Sequence, residues 1–330
     1  MAEEGGLRVL ILAGGGGHTG YARILAEALS GRAQLLFLAP DDEPISVQRL
    51  APYGKVDTIT KPRHPTTPLW RFTLRFLEAF LQSLKRFPPA DVVVSTGSNF
   101  CVPPAIVAWL KGVPIVNLES RVKLLKASGA ARFIGRFSEL TALQWDEQTK
   151  FHKGIVFGPL LPRRTTVPRD GGYILIAGGT YGYEELFDAA ILTGLKNVVL
   201  QTGKIDPAKY SERRPEWRVI SYTEKFNELL AGAQVVVTPP GGTPIEAAAY
   251  GKPVVITPYP GWTRAADKEE TVLFASKIDA VLMGEITPDG LEGAIETAKK
   301  RGPRILEDGT DKLAEAILRI AKEHHNRRRL

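Results

Sequence analysis

The chain has 330 residues, 44% of them apolar and 24% charged, the balance of a folded protein rather than a disordered one. One hydrophobic core stops growing at about 250–300 residues, so two domains are expected. The formal net charge of +7 favours an anionic partner (phosphate, nucleic acid or anionic lipid), and a single cysteine, Cys101, excludes an internal disulfide.

The first apolar run, "LRVLILA", predicts a strand over 8–13 and then breaks into glycines, too soon for a signal peptide. No apolar run is long enough to span a membrane, and no Cys/His group has zinc spacing, so a cytoplasmic protein without a metal or cofactor is expected. Further strands are predicted over 34–39, 56–60, 91–95, 114–118 and 140–143, most of them separated by helices. The helix over 68–87 has its own pattern. Thr67 can cap it, Pro68 suits its first position and Pro88 stops it. Arg71, Arg75, Glu78, Gln82 and Lys85 form one polar stripe, and the rest of the helix is a wide apolar arc. That arc fits either an anionic lipid surface, with Trp70, Phe72, Phe76 and Phe80 as contacts, or burial between the sheet and a partner subunit.

The segment "FGPLLPRRTTVPRDGGY" interrupts the alternation with three prolines, after which strands return over 173–177, 198–201, 218–221, 234–238 and 253–257. The expected organisation is α/β: a Rossmann-like domain over 1–160, a linker over 161–171 and a second Rossmann-like domain over 172–330. The last helix either packs back on the first domain or, with Arg327 to Arg329, forms a solvated tail.

Three glycine-rich loops follow strands and open helices: "GGGGHTG" at 14–20, "GGTYGYEEL" at 178–186 and the start of "TPPGGTPIEAAAYGKPVVITP" at 238–258. Such loops present backbone N–H groups to phosphate or carboxylate. Gly15, Gly17 and Gly20 satisfy the dinucleotide fingerprint, and Asp41 or Asp42 could hold a ribose, so an NAD-dependent dehydrogenase is one reading. The imidazole of His18 would crowd that pyrophosphate, and the reading leaves both later loops unused. A cleft between two nucleotide folds, one holding a nucleoside diphosphate and the other an acceptor, uses all three.

The segment "AGAQVVVTPPGGTPIEAAAYGKPVVITPYP" resembles the donor motif of family 28 glycosyltransferases, which have the GT-B fold. "GGGGHTG", "DVVVSTGSNFCVPPAIVAWLKGVPIVNLESRV", "LLKASG" and "LTALQWDE" look like the acceptor subunit of the two-subunit GlcNAc transferase that forms chitobiosyl-diphosphodolichol. "ILIAGGTYGYEELFDA" looks like its catalytic partner, so the chain resembles a fusion of the two, as in an archaeal or bacterial homologue. The layout is also similar to the bacterial transferase that adds GlcNAc to the lipid-linked peptidoglycan precursor.

The resemblance implies an inverting, metal-independent transfer of GlcNAc from UDP-GlcNAc to a polyprenyl (dolichyl) diphosphate-linked GlcNAc for protein N-glycosylation. It would act at the inner face of the cell membrane. His18 would be the general base, although it could instead cap the helix or touch a phosphate. Glu119 would orient His18 or bind the acceptor sugar, or be a buried partner of Arg121 or Arg132. The acceptor would meet Gly15, Gly17, Thr19, Gly97, Ser98, Asn99 and Arg121.

The donor would meet Gly178, Gly179, Thr180, Gly241, Gly242, Thr243, Asp267 and Glu269, with Tyr222 and Thr223 at the uracil, unless Tyr222 is an edge-of-core residue. Glu246, one turn into a helix capped by Thr243, would hold the ribose, or simply favour the helix dipole. Pro239 and Pro240 depart from the family's His-Ala, and Asp267, Glu269 and Glu270 replace the amides that hold sugar hydroxyls. A non-catalytic UDP-sugar-binding subunit remains an alternative. Nucleic acid is not expected as a partner, because the basic residues are dispersed and no binding motif occurs. The sequence leaves homo-oligomer formation open.

Overall fold

The computed structural model describes residues 6–64, 67–258, 267–302 and 305–328. The chain divides into two compact units, Met1–Leu160 with Asp308–Leu330, and Leu161–Glu307.

The first unit runs β1 (Arg8–Leu12), α1 (Gly17–Leu29), β2 (Gln34–Pro40), α2 (Pro44–Leu50), β3 (Lys55–Ile59), α3 (Leu69–Arg86), β4 (Val92–Ser95), α4 (Val102–Leu110), β5 (Ile115–Leu118), α5 (Gly129–Ile134), β6 (Leu140–Leu143) and β7 (Ile155–Val156). All pairs are parallel, in the order β3-β2-β1-β4-β5-β6-β7. The period of two splits β1 between cores: Val9 and Ile11 pack beneath α1, while Leu10 and Leu12 face α4 residues Ala105 and Ala108.

The second unit runs β8 (Tyr173–Ala177), α6 (Glu184–Ala190), β9 (Val198–Gln201), α7 (Ala208–Ser211), β10 (Arg218–Ile220), α8 (Phe226–Gly232), β11 (Ala233–Thr238), α9 (Thr243–Ala249), β12 (Val254–Ile256), α10 (Lys268–Lys277), β13 (Val281–Leu282) and α11 (Pro288–Arg301). Its order is β10-β9-β8-β11-β12-β13, again parallel. The α/β class with two Rossmann-like sheets is thus as expected, while β7 and β13, two residues each, were not anticipated.

One connection differs from the sequence reading, and one open choice is decided. Residues 161–171 belong to the second unit: Arg164 Nε donates to the Ala249 carbonyl at 2.5 Å, and the Arg169 amide to that of Ala231 at 2.8 Å. The last helix, α12 (Thr310–Arg327), packs back on the first unit, one of its two expected placements, and is not a solvated tail. Leu313, Ala314, Ile317, Ile320 and Ala321 lie in the same core as α1, and His325 Nδ1 meets Asp91 Oδ1 at 3.1 Å; Arg329 lies outside the described residues. Ile317→Ala is therefore expected to cost about 2–5 kcal/mol in denaturant unfolding, and Arg327→Ala less than about 0.5 kcal/mol.

Candidate active site

In each sheet the strand order reverses at one place, between β1 and β4 and between β8 and β11. The loops leaving such neighbouring strands diverge to opposite faces and open a crevice beyond the carboxyl ends, where ligands of these folds bind. The glycine loops of the sequence fall at these two positions.

In the first unit the loops after β1 and β4 are locked together. Thr96 Oγ1 donates to the Leu12 carbonyl at 2.7 Å and accepts the Gly14 amide at 3.3 Å. A Cβ on Gly14 would overlap the Ser98 side chain, so only glycine permits this approach. Ser98 has φ 76°, an unusual conformation for a residue with a side chain, of the kind that clusters at functional sites. Gly97 lets the His18 ring lie against it, since an added Cβ would sit 3.3 Å from His18 Cε1.

His18 is the second residue of α1 and half-buried, so it does not cap the helix. Its Nδ1 lies 2.7 Å from the Thr96 carbonyl oxygen. A carbonyl only accepts, so Nδ1 carries the proton and the neutral ring keeps its lone pair on Nε2. Burial lowers the His18 pKa below the ordinary 6.5; the Thr96 bond and the charge of Glu119 oppose this, and Lys61 and Arg121 reinforce it. A neutral imidazole with a fixed tautomer and an unprotonated Nε2 is what a general base requires. Burial pushes the Cys101 thiol up to about 11, so it is no thiolate nucleophile.

Other expected residues of this crevice have framework positions. Glu119 is fully buried and its partner is neither Arg121 nor Arg132 but His152, whose Nε2 lies 2.6 Å from Glu119 Oε2. It also accepts the amides of Ser120 at 2.7 Å and Ser128 at 2.9 Å, which fixes the segment after β5. Arg121 is buried, with its guanidinium 4.2 Å from the Tyr21 ring centroid and its Nε donating to Tyr21 Oη at 2.9 Å, so it supports the framework rather than facing an acceptor. Thr19 is buried and bonds Ser46 Oγ at 2.8 Å. Gln144 and Trp145 bond the carbonyls of Glu119 and Arg121, both at 2.7 Å. Asn99 Nδ2 donates to the Arg63 carbonyl at 3.5 Å, while Gly15 and Gly17 form the loop itself.

Glu43, Lys61, Thr96 and His152 were not singled out in the sequence. Asp41 and Asp42, the ribose candidates of the dehydrogenase reading, are engaged by Thr60 at 3.3 Å and His64 at 2.9 Å.

In the second unit, Gly178 packs so closely on Phe187 and the Tyr183 amide that a Cβ would overlap both, and Gly179 has φ 74°. The Thr180 carbonyl accepts the Lys204 amide at 3.1 Å. Tyr183 Oη donates to the Pro258 carbonyl at 2.8 Å, tying this loop to the end of β12. Gly242 is the cap residue of α9, so Thr243 is its first helical residue rather than its cap. Glu246 is half-buried in the first turn, beside Gly242, and Gly241 is exposed. Asp267 caps α10 through the Glu270 amide at 2.9 Å, and Glu269 is exposed. Tyr222 follows the edge strand β10 and is 46% exposed, so it is not a core residue; Thr223 Oγ1 accepts the Lys225 amide at 3.1 Å. Residues 259–266, including the last two of the quoted donor motif, lie outside the described residues. Among the described residues, no His/Cys/Asp/Glu group could hold a metal ion.

Helix α3 turns Ala79 and Ser83 inward. Glu78 and Gln82 of the polar stripe bond Thr60, and Arg75 Nε donates to the Lys61 carbonyl at 2.9 Å, so the stripe runs along the edge of that buried face. The outer part of the apolar arc is open: Leu69, Trp70, Leu74, Leu77, Leu81 and Leu84 are all exposed, Trp70 by 61%. Phe72, Phe76 and Phe80 are half-buried instead, with Phe72 and Phe76 in edge contact at 5.9 Å, which corrects their assignment as primary outer contacts. Thr67 caps nothing; its hydroxyl accepts the His64 amide at 2.8 Å, and Pro68 precedes the helix. Among the described residues no helix is long and apolar enough to cross a membrane.

Residues 173–326 match the family described as glycosyltransferase family 28 C-terminal domain. A Trichodesmium erythraeum protein is 27% identical over 60% of this chain, the match spanning 58% of its own length. A Synechococcus elongatus protein is 28% identical over 87% of this chain and 86% of its own. Both are named UDP-N-acetylglucosamine–N-acetylmuramyl-(pentapeptide) pyrophosphoryl-undecaprenol N-acetylglucosamine transferase. The crystal structure of Acinetobacter baumannii MurG superposes with a TM-score of 0.66 and 17% identity, covering 95% of this chain and 99% of that one. With a family 28 C-terminal domain over residues 173–326 and two Rossmann-like units of GT-B type, the chain is a glycosyltransferase.

Proposed function

We propose that the protein transfers GlcNAc from UDP-GlcNAc to a polyprenyl-diphosphate-linked GlcNAc, inverting the anomeric carbon, at the cytoplasmic membrane face. The lipid would be dolichyl and the product a lipid-linked oligosaccharide for N-glycosylation. The observation that carries the reading is His18, its tautomer set by the Thr96 carbonyl at the first unit's switch point, with a family 28 donor domain in the same chain. His18 Nε2 takes the proton of the acceptor hydroxyl as its oxygen attacks the sugar C1, and the bond from C1 to the UDP oxygen breaks in the same displacement. The loop amides around Gly179, Thr180 and Gly242 stabilise the leaving UDP, a role that needs no metal. Inversion follows from one displacement with one base.

The names of the two bacterial relatives favour a second acceptor, an N-acetylmuramyl-pentapeptide on undecaprenyl diphosphate. Side-by-side kcat/KM values with phytanyl-diphosphate GlcNAc and with the muramyl-pentapeptide lipid separate the two. A preference for the first supports the proposal, and a preference for the second replaces its acceptor.

Two further outcomes are expected. Glu246→Ala should weaken UDP binding by about 10- to 100-fold, the loss of a charge-assisted ribose bond, while acceptor binding is spared. Equal affinities in calorimetry would remove Glu246 from that role. Replacing Trp70, Leu74 and Leu81 with serine should release the protein from anionic vesicles without lowering its melting temperature, because these side chains are already exposed. A variant that stays on the vesicles would contradict lipid contact by α3.

A further inference from the structure

We propose that Glu43 is a positioning residue for this reaction, bracing the glycine loop that carries His18 and countering the charge of Lys61 beside it. The inference rests on the reading of His18 as base. Glu43 stands between β2 and α2, yet its carboxylate reaches the loop after β1. Oε2 accepts the Gly16 amide at 2.9 Å and the Ser46 hydroxyl at 3.0 Å, and Oε1 meets Lys61 Nζ at 2.5 Å. A Cβ on Gly15 would overlap this carboxylate, so Gly15, with φ 85°, is required partly by Glu43 itself. The Thr19–Ser46 hydroxyl pair at 2.8 Å ties the first turn of α1 to α2 beside it. One carboxylate thereby joins the chain after β1, β2 and β3, two residues from His18.

Burial opposes ionisation of Glu43, but Lys61, the Gly16 amide and Ser46 outweigh it and hold the carboxyl below its usual range. The groups acting on the His18 ring are the Thr96 carbonyl, the Tyr21 ring at 6.0 Å, Lys61, Glu119 and Arg121. Lys61 disfavours the protonated imidazole, and the Glu43 carboxylate offsets that charge. Removing the carboxylate leaves Lys61 uncompensated, so protonating His18 then needs a lower pH.

Two substitutions separate the brace from the charge. In Glu43→Gln an amide oxygen can still accept the Gly16 N–H; Glu43→Ala loses both functions. For Glu43→Ala, kcat should fall by about tenfold to a hundredfold, with acceptor KM and UDP affinity changing far less, because a base displaced by a fraction of an ångström costs rate rather than binding. Glu43→Gln should recover several-fold of that kcat. In both variants the acid limb of kcat/KM and the His18 imidazole titration, read by NMR on the full chain, should move to lower pH by roughly half a unit. A Glu43→Ala kcat within twofold of wild type, or a His18 titration unmoved in both variants, overturns the proposal. If wild type transfers no sugar to either lipid acceptor, the proposed function fails, and the NMR titration still decides whether Glu43 acts on His18.

Discussion

His18→Ala should lower turnover by about 10² to 10⁴ and leave UDP affinity nearly unchanged, since general-base catalysis contributes that much and the donor loops belong to the other unit. The pH profile should change with it. Burial depresses the His18 pKa, so the base is unprotonated at neutral pH, and the wild-type rate should fall only as the pH drops through a value below 6.5. The alanine variant should lose that limb. Near-normal turnover in His18→Ala would make the ring a packing residue against Gly97 and send the search for the base elsewhere.

Glu119→Ala should act mainly on stability. Its fully buried carboxylate bonds the Ser120 amide, the Ser128 amide and His152, all half-buried, and each buried group left without a partner costs about 1–3 kcal/mol. A total of about 3–5 kcal/mol is expected in denaturant unfolding, together with loss of order in the segment after β5. Any fall in turnover should follow the folded fraction. An unchanged unfolding midpoint with a raised acceptor KM would instead make Glu119 a sugar ligand.

The contrast between His18 and Glu119 shows what the sequence could reveal. His18 lies inside a local pattern, a strand, a glycine run and a helix, and local patterns survive reading in one dimension. The partner of Glu119 is 33 residues away on a different segment, and nothing in "NLESRV" points to His152. Glu43 was hidden for a similar reason. In "PDDEP" it reads as part of a solvated acidic turn, and only the folded chain brings it under Gly15 and Gly16.

Periodicity also marks an amphipathic helix without saying which face turns inward. In α3 the inward face is Ala79 and Ser83 with the half-buried Phe72, Phe76 and Phe80, set beside the stripe whose Glu78, Gln82 and Arg75 bond Thr60 and the Lys61 carbonyl after β3. The core face of α12 is Leu313, Ile317 and Ile320, a spacing that allows packing on the first unit, while the arginines that follow equally suit solvent, so the sequence leaves the placement open. The main strands were readable because parallel strands buried on both faces need continuous apolar runs. Two-residue strands such as β7 and β13 carry no such run.

The most direct test of the account is analysis of the product formed from UDP-[¹³C]GlcNAc and phytanyl-diphosphate GlcNAc. NMR of the lipid fraction should show one new β-linked GlcNAc for each UDP released, since inversion of the α-linked donor at C1 leaves no other anomer. An α-linked product, or UDP released without label entering the lipid, would contradict it.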